Sequence, residues 1–411
     1  MTRIKPELET FAKIKVVGIG GGGSNAVTRM VTGRMKGVDF ITVNTDAQDL
    51  HHSQAHTKLH IGKNITRGLG AGMNPELGRQ AAEESREEIQ EALKGADLVF
   101  ITSGMGGGTG SGASAVVADI ARSLGALTIA VITKPFTFEG AQRSRIAEEA
   151  LGSLKDTVDT LVVIPNDRIF NIISEDTSLL NSFEMVDDIL KQAVFGIADL
   201  ITLPGIINVD FNDVKAIMQD AGSALMGIGF ASGEDRAAKA ARAAINSPLL
   251  ELSIEGAKGV LFNIAGGQDD LKMMEINNAA KIITESVDAG AKIIFGAVND
   301  PRLKKGEIKI TVIATGFGEG TGARGLKTET FIKTAAPASA SETVQAKKDN
   351  PSTASAFSKP ASSFAPNHVS KPAESSLADK KPEVKSKTFT PEVTKISDDG
   401  WDIPAFIRRK K

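Results

Sequence analysis

The 411-residue chain contains no cysteine. That excludes disulfides, thiolate nucleophiles and cysteine-bound metals, and it suits a reducing compartment. The chain has no apolar run of about 18 residues or more, so no stretch reads as a membrane-spanning helix. Met1 to Thr10 is charged and lacks the apolar core of a secretory signal. Net charge is only -2, so there is no whole-protein field to attract nucleic acid. There is no G-x-x-x-x-G-K-[ST] either. The one Gly-Lys pair, Gly62-Lys63, is followed by Asn64, so a lysine-based phosphate loop is not expected. What remains is a cytoplasmic protein without a nucleic-acid partner. At 41% apolar content it has material for two or three domains.

Glycine and proline divide the chain. Of 41 glycines, all but Gly400 lie at or before Gly325, whereas eight of 15 prolines follow residue 330. Before that boundary, apolar runs read as strands: Lys13 to Gly18, Phe40 to Asn44, Asp97 to Thr102, Leu127 to Thr133 and Thr160 to Ile164. Helical stretches at Ser24 to Val31 and Ser114 to Leu124 alternate with them. That order predicts a parallel sheet covered on both faces. Phe183 to Leu203 carries apolar residues at helical spacing over most of its surface and stops at Pro204-Gly205, so it reads as a buried central helix. A second, smaller α/β domain follows. Its strands are Gly259 to Ile264, Lys292 to Val298 and Ile308 to Thr315, and its helices Ala237 to Ala244 and Leu271 to Val287.

From about Thr328 to Ile396, Ser, Ala, Lys, Pro and Thr dominate and glycine is absent, a composition that cannot bury enough surface to fold. Such a coil of about 70 residues spans roughly 45 Å end to end. Beyond it Trp401, the only tryptophan, joins Ile403, Pro404, Phe406 and Ile407 ahead of four basic residues. Aromatic anchors on a coil predict a short motif that folds on a partner. The basic tip, Arg408 to Lys411, is either incidental or a weak aid to binding an anionic membrane.

Two glycine-rich loops each follow a strand and open a helix: Gly18 to Asn25, and Gly104 to Gly112. Glycines admit phosphate close to the backbone, and the following helix offers unpaired N–H groups with partial positive charge. The first loop alone matches G-x-G-x-x-G and suggests a dinucleotide fold, with Asp46 near the acidic position that fold needs. Two such loops in one sheet predict a polyphosphate held from both sides by backbone amides, Ser24, Thr109 and Ser111.

GGGTGSG at 106–112 resembles the signature loop of the tubulin/FtsZ superfamily. So do GIGGGGSNAV in the first loop, NTDAQ at 44–48, GLGAGMNPELG at 68–78 and TKPFTFEGAQR at 133–143. IPNDR at 164–168, NVDFNDVK at 208–215 and the tail DIPAFIRR at 402–409 continue the series. Together they are similar to the FtsZ family of bacterial cell-division GTPases rather than to eukaryotic tubulin. The resemblance implies an α/β fold: a Rossmann-like parallel-sheet GTPase domain at 13–182 behind an extension at 1–12, and a long central helix at 183–204. A smaller α/β domain at 205–318 would carry the catalytic loop at its start, ahead of a disordered linker at 319–397 and a partner-binding peptide at 398–411.

The resemblance also implies roles. Gly21, Gly22, Gly23, Ser24, Asn25, Gly104, Gly107, Gly108, Thr109 and Gly110 would bind the phosphates of GTP or GDP. Ala71, Gly72 and their neighbours to Asn74 would cover the γ-phosphate, with Asn44 nearby. Glu139 and Arg143 would hold ribose and phosphates, and Asn166 ribose or base. Phe183 would stack on guanine, with Asn25 and Asp187 reading its edge. Mg²⁺ would sit mainly on phosphate oxygens and water, with no side-chain ligand assigned. Asp210 and Asp213, with Asn208, would enter the next subunit's pocket and direct the attacking water. The implied partners are further copies of the chain, stacked head to tail, and adaptors such as FtsA or ZipA on the tail, with membrane contact indirect. The implied place is the cytoplasmic midcell ring.

Bland readings stand beside these. Asp favours helix N-caps, so spacing alone makes Asp210 and Asp213 a cap. Glu139 and Arg143 at i, i+4 form an ordinary ion pair. His52, His56 and His60 repeat at i, i+4, but no cysteine or acidic support accompanies them, which argues for a solvated surface rather than zinc.

Overall fold

The computed structural model describes residues 12–317, except 34, 36, 175, 204, 249, 251, 252, 268 and 269. The expected linker, the C-terminal peptide and the first eleven residues lie outside the described residues.

The first half runs β1 (Ile14–Ile19), α1 (Gly20–Thr32), β2 (Val38–Asn44), α2 (Ala47–His52), β3 (Thr57–His60) and α3 (Lys63–Thr66). It continues through α4 (Pro75–Glu84), α5 (Arg86–Leu93), β4 (Leu98–Gly104), α6 (Thr109–Ser123), β5 (Leu127–Lys134), α7 (Ala141–Lys155) and β6 (Thr160–Pro165). Then comes the long helix α8 (Leu179–Thr202). The second half runs β7 (Gly205–Ile207), α9 (Phe211–Met218), β8 (Gly222–Ser232), α10 (Arg236–Ile245), β9 (Gly259–Gly266), α11 (Met273–Thr284), β10 (Lys292–Asn299) and β11 (Glu307–Thr315).

The strands form one sheet in the order β3-β2-β1-β4-β5-β6-β8-β11-β9-β10-β7. Every pairing from β3 to β8 is parallel, as the unbroken apolar strands predict. Alternate residues feed opposite cores. Leu98, Phe100 and Ile129 pack on the α8 side, and Val99, Ile101 and Ala130 on the α6 side. Beyond β8 the sheet is mixed: β11 is antiparallel to β8 and to β9, while β9 and β10 are parallel. Within the sheet the two halves are joined by a short parallel pairing, Thr160–Gly222 to Val162–Ala224, and a core shared by both lies beneath it.

The sequence reading contains no strand at β8, and the reason is physical. Gly227 and Gly229 look like turn residues. Yet a Cβ at either would lie 2.0 Å from a backbone oxygen of α10, Ala244 or Ala240. They are glycines so that α10 can rest directly on the strand. The central helix also starts earlier than its apolar pattern suggests. Ser178 caps it, its hydroxyl accepting from the Asn181 N–H at 3.2 Å. Its 24 residues span about 36 Å. Its second half is buried, and there Asp199 meets Arg302 from the turn after β10. Its first half is not: Leu179 and Leu180 are exposed and Phe183 partly so.

Candidate functional site

A cleft of about 680 Å³ opens at the carboxyl ends of β1, β2, β4, β5 and β6. This is where open parallel sheets bind ligands. It is lined from β1 by Gly21, Gly22 and Asn25, and from β4 by Gly104, Gly107, Gly108, Thr109 and Gly110. Asn44, Ala71 and Gly72 close one side; Glu139, Arg143, Asn166, Phe183 and Asp187 close the other. Sixteen of the pocket residues expected from the sequence are thus brought together.

Two are not. Gly23 packs inward, where a Cβ would lie 2.5 Å from the Thr102 carbonyl oxygen. Ser24 is buried, and neither it nor Gly23 lines the cleft. Ser111 is also spent elsewhere: its hydroxyl accepts from the Gly106 N–H at 2.9 Å and holds the second loop in shape. Asn74 caps α4 through the N–H groups of Glu76 and Leu77. Of the expected hydroxyls only Thr109 reaches the cleft, bonded to the Thr45 hydroxyl at 2.6 Å.

The cradle is therefore made of backbone. Helices α1 and α6 both begin in it, neither has a side chain capping its N-terminus, and neither has an acid in its first turn. Their leading N–H groups are left to a ligand, reinforced by two helix dipoles. Close approach explains the glycines. A Cβ on Gly108 would lie 2.8 Å from Ala71 Cβ and 2.9 Å from Asn74 N, and Gly106 adopts φ +95°.

The opposite wall is aromatic and charged. Phe183 meets Phe136 edge-on at 5.4 Å, and Phe136 stacks on Phe138 at 4.9 Å. Arg143 is held by Glu139 at 2.6 Å, and Glu139 also accepts from the Phe136 N–H at 2.9 Å. The i, i+4 pair thus forms at the wall of the cleft, which both residues line. Asn166 keeps a buried Oδ1 without a partner. Burial pushes the Asp187 carboxyl up to about 6, against the opposing pull of Arg29.

Two acids in the cleft were not among the expected site residues. Asp46 caps α2, and Asp49 accepts from Asn44 Nδ2 at 2.6 Å. Burial, then the charge of Asp46, pushes the Asp49 carboxyl up. The signal was available: NTDAQD directly follows β2, so its side chains had to fall at the ligand-binding end of the sheet.

Asn208, Asp210 and Asp213 lie elsewhere. Asp210 borders a groove with Ala12, Lys13, Gly95 and Asp97, at the amino ends of β1 and β4. The cleft is at the other end of the same strands, about 20 Å away for a six-residue β1. The two aspartates form a reciprocal cap on α9. Asp210 Oδ1 accepts from the Asp213 N–H at 2.9 Å, and Asp213 Oδ2 from the Asp210 N–H at 3.4 Å. Asn208 Oδ1 accepts from the Gly205 N–H at 2.7 Å.

The surface readings also resolve. Lys63 pairs with Glu88 at 3.3 Å, away from the cleft. His52 is on α2, His56 on a loop and His60 on β3, so their spacing does not place them on one helical face.

Residues 13–174 match the Tubulin/FtsZ family, GTPase domain, and residues 222–318 match the FtsZ family, C-terminal domain. An FtsZ dimer from M. jannaschii, solved empty, is 46% identical with a TM-score of 0.72, over 75% of this chain and 89% of that one. CetZ2 from Haloferax volcanii, solved as a GTPgS-bound protofilament, is 22% identical with a TM-score of 0.64, over 74% of this chain and 92% of that one. That second likeness shows the fold alone. With a matching GTPase domain, a matching C-terminal domain and an FtsZ relative 46% identical over 75% of this chain's length, the chain belongs to the FtsZ branch of the tubulin/FtsZ family and is a GTPase.

Proposed function

We propose that this chain binds GTP in the cleft, assembles head to tail into filaments, and hydrolyses GTP with Asp210 and Asp213 of the next copy. The observation that carries the reading is the separation of parts. The phosphate cradle and the exposed acid pair lie at opposite ends of the same strands. Stacking copies along that axis brings one chain's α9 N-terminus to the next chain's cleft.

The residues take these roles. The amides of the two glycine loops bind the phosphates, and Arg143 balances their charge. Phe183 stacks on the base. Asp187 accepts from the two guanine N–H donors and repels adenine's ring acceptor. Asp210 and Asp213 orient the attacking water and draw off its proton, with Asn208 shaping the loop. Such positioning and general-base help is worth about 10²–10⁴-fold. Mg²⁺ fits beside the phosphates, because Asp46 and Asp49 would otherwise face them uncompensated, and Asp49 is already pushed up by burial and then by the charge of Asp46. A bound Mg²⁺ supplies charge neutralisation there.

The relatives add support. The M. jannaschii FtsZ was solved as a dimer and CetZ2 as a protofilament. In the cell we place the filament in the cytoplasmic division ring, joined through the C-terminal peptide to adaptors of the FtsA or ZipA kind.

The test is turnover per chain against protein concentration, with Mg²⁺ and with light scattering recorded alongside. A concentration threshold below which both vanish is the expected result. Specific activity independent of concentration, without scattering, would put a complete site in one chain and end the shared-site reading.

A further inference from the structure

Helices α1 and α8 meet beside the cleft through one cation. Arg29, on α1, does not line the cleft. Its Nε–H donates to Asp187 Oδ2 at 3.0 Å, and its terminal nitrogen pairs with Glu184 at 2.9 Å. Asp187 does line the cleft, and its Oδ1 has no hydrogen-bond partner among the described residues. The carboxylate is gripped from behind and left open in front.

We propose that Arg29 is the positioning residue for base recognition, holding Asp187 ionised and oriented so that both its oxygens accept from guanine. The inference rests on the assignment of Asp187 as the base reader. Guanine presents two N–H donors side by side, and only the carboxylate can accept from both. Once protonated, the carboxyl turns one of its oxygens into a donor facing guanine's donor.

The local charges make this a close balance. Burial raises Asp187 to about 6; Arg29 opposes that by charge and by hydrogen bond. Glu184 and Asp188, also on α8, push it further up, Asp188 being paired with Lys191 at 2.5 Å. Arg143 and Glu139 stand on the cleft's aromatic and charged wall, paired with each other. Because guanine binds the ionised form, affinity falls as pH drops through the value of the empty site. Below about 6 the fall approaches tenfold per pH unit. Removing Arg29 leaves burial and the two acids unopposed, so the midpoint must rise.

The experiment is equilibrium GDP binding by the full chain between pH 5.5 and 8. Arg29→Gln moves the midpoint up by about one unit, so that binding at pH 6 is about fivefold weaker than native and at pH 8 within about twofold. Arg29→Lys keeps the native midpoint, because the charge remains. Glu184→Gln, which removes a like charge, moves it down; it carries the test if Arg29→Gln does not fold. A native midpoint in Arg29→Gln, or a loss equal at every pH, overturns the proposal while leaving the base reader intact. Asp187→Asn separates the two ideas. It should weaken GDP binding and flatten the pH profile; unchanged affinity and profile would sink the base-reading role, and the proposal with it.

Discussion

Three helix N-termini carry the functional reading, and they are built in opposite ways. Those of α1 and α6 are bare, with no side-chain cap and no acid in the first turn, and both face the cleft. That of α9 is closed by its own reciprocal pair of aspartates and faces away from it. A bare N-terminus has unmet N–H donors and attracts an anion. A capped one has met its needs, and its carboxylates keep lone pairs free for something else. The chain therefore holds an anion receiver at one end and an acid pair at the other, the division of labour on which the proposed shared site rests.

The largest effect is expected where the comparison predicts chemistry without structure. Asp213→Asn keeps an acceptor for the Asp210 N–H but removes the charge. GTP binding and filament scattering should stay native while turnover falls by about 10²-fold or more. Native turnover would reduce the α9 pair to a cap and nothing else.

Next comes the geometry of the bare end. Gly108→Ala places a Cβ against Ala71 Cβ and Asn74 N, both under 3 Å away. The wall of the cleft must shift, and a displacement near 1 Å costs about 10²-fold where positioning matters. GDP affinity measured by equilibrium binding should fall by at least about tenfold, while Gly107→Ala, with nothing within 4 Å, is the milder control. Equal losses would mean that the close approach at Gly108 is not what the loop is for.

A smaller effect isolates the charge. A Cβ on Gly21 meets only Asp49 Oδ2, at an ordinary 3.7 Å, so a side chain fits there. Gly21→Asn and Gly21→Asp are nearly the same size, but the second puts an anion into the first turn of α1. A dipole that attracts phosphate attracts this carboxylate too, and the phosphate must then meet it. Gly21→Asp should bind GDP about threefold to thirtyfold more weakly than Gly21→Asn, with the gap shrinking as salt is added. Identical affinities would show that the dipole contributes nothing to nucleotide binding.

How much of this was legible in the sequence follows from where each signal lives. The parallel half of the sheet is written in unbroken apolar strands, and five of its strands fall where those runs do. Strand β8 is not so written, because Gly227 and Gly229 report contact with α10, and contact between distant segments leaves no local pattern. Of the glycine loops, the spacing was readable but the facing was not. Nothing local distinguishes Gly22, which lines the cleft, from Gly23, which packs on Thr102. Serines misled for a similar reason. Ser24 and Ser111 look like phosphate ligands in a glycine loop, yet one is buried and the other braces its own loop. The separation of α9 from the cleft was not visible in the residues at all, since it depends on which end of the sheet each connection reaches.

The smallest effect concerns the capped end alone. Asp210→Ala removes the acceptor of the Asp213 N–H, which lies at 2.9 Å, and should cost about 1 kcal/mol of stability. Asp210→Asn retains an oxygen in the same place and ranks equal to Asp as a cap, so its unfolding midpoint in urea should stay near native. Both variants remove the charge, and so both should lose turnover alike. The pair thus separates two duties of one side chain: stability should follow the acceptor, and hydrolysis the charge. Turnover that followed the acceptor instead, native in Asn and lost in Ala, would mean that α9 serves the reaction through its shape, and the contrast between bare and capped helix ends would then be one of architecture rather than of chemistry.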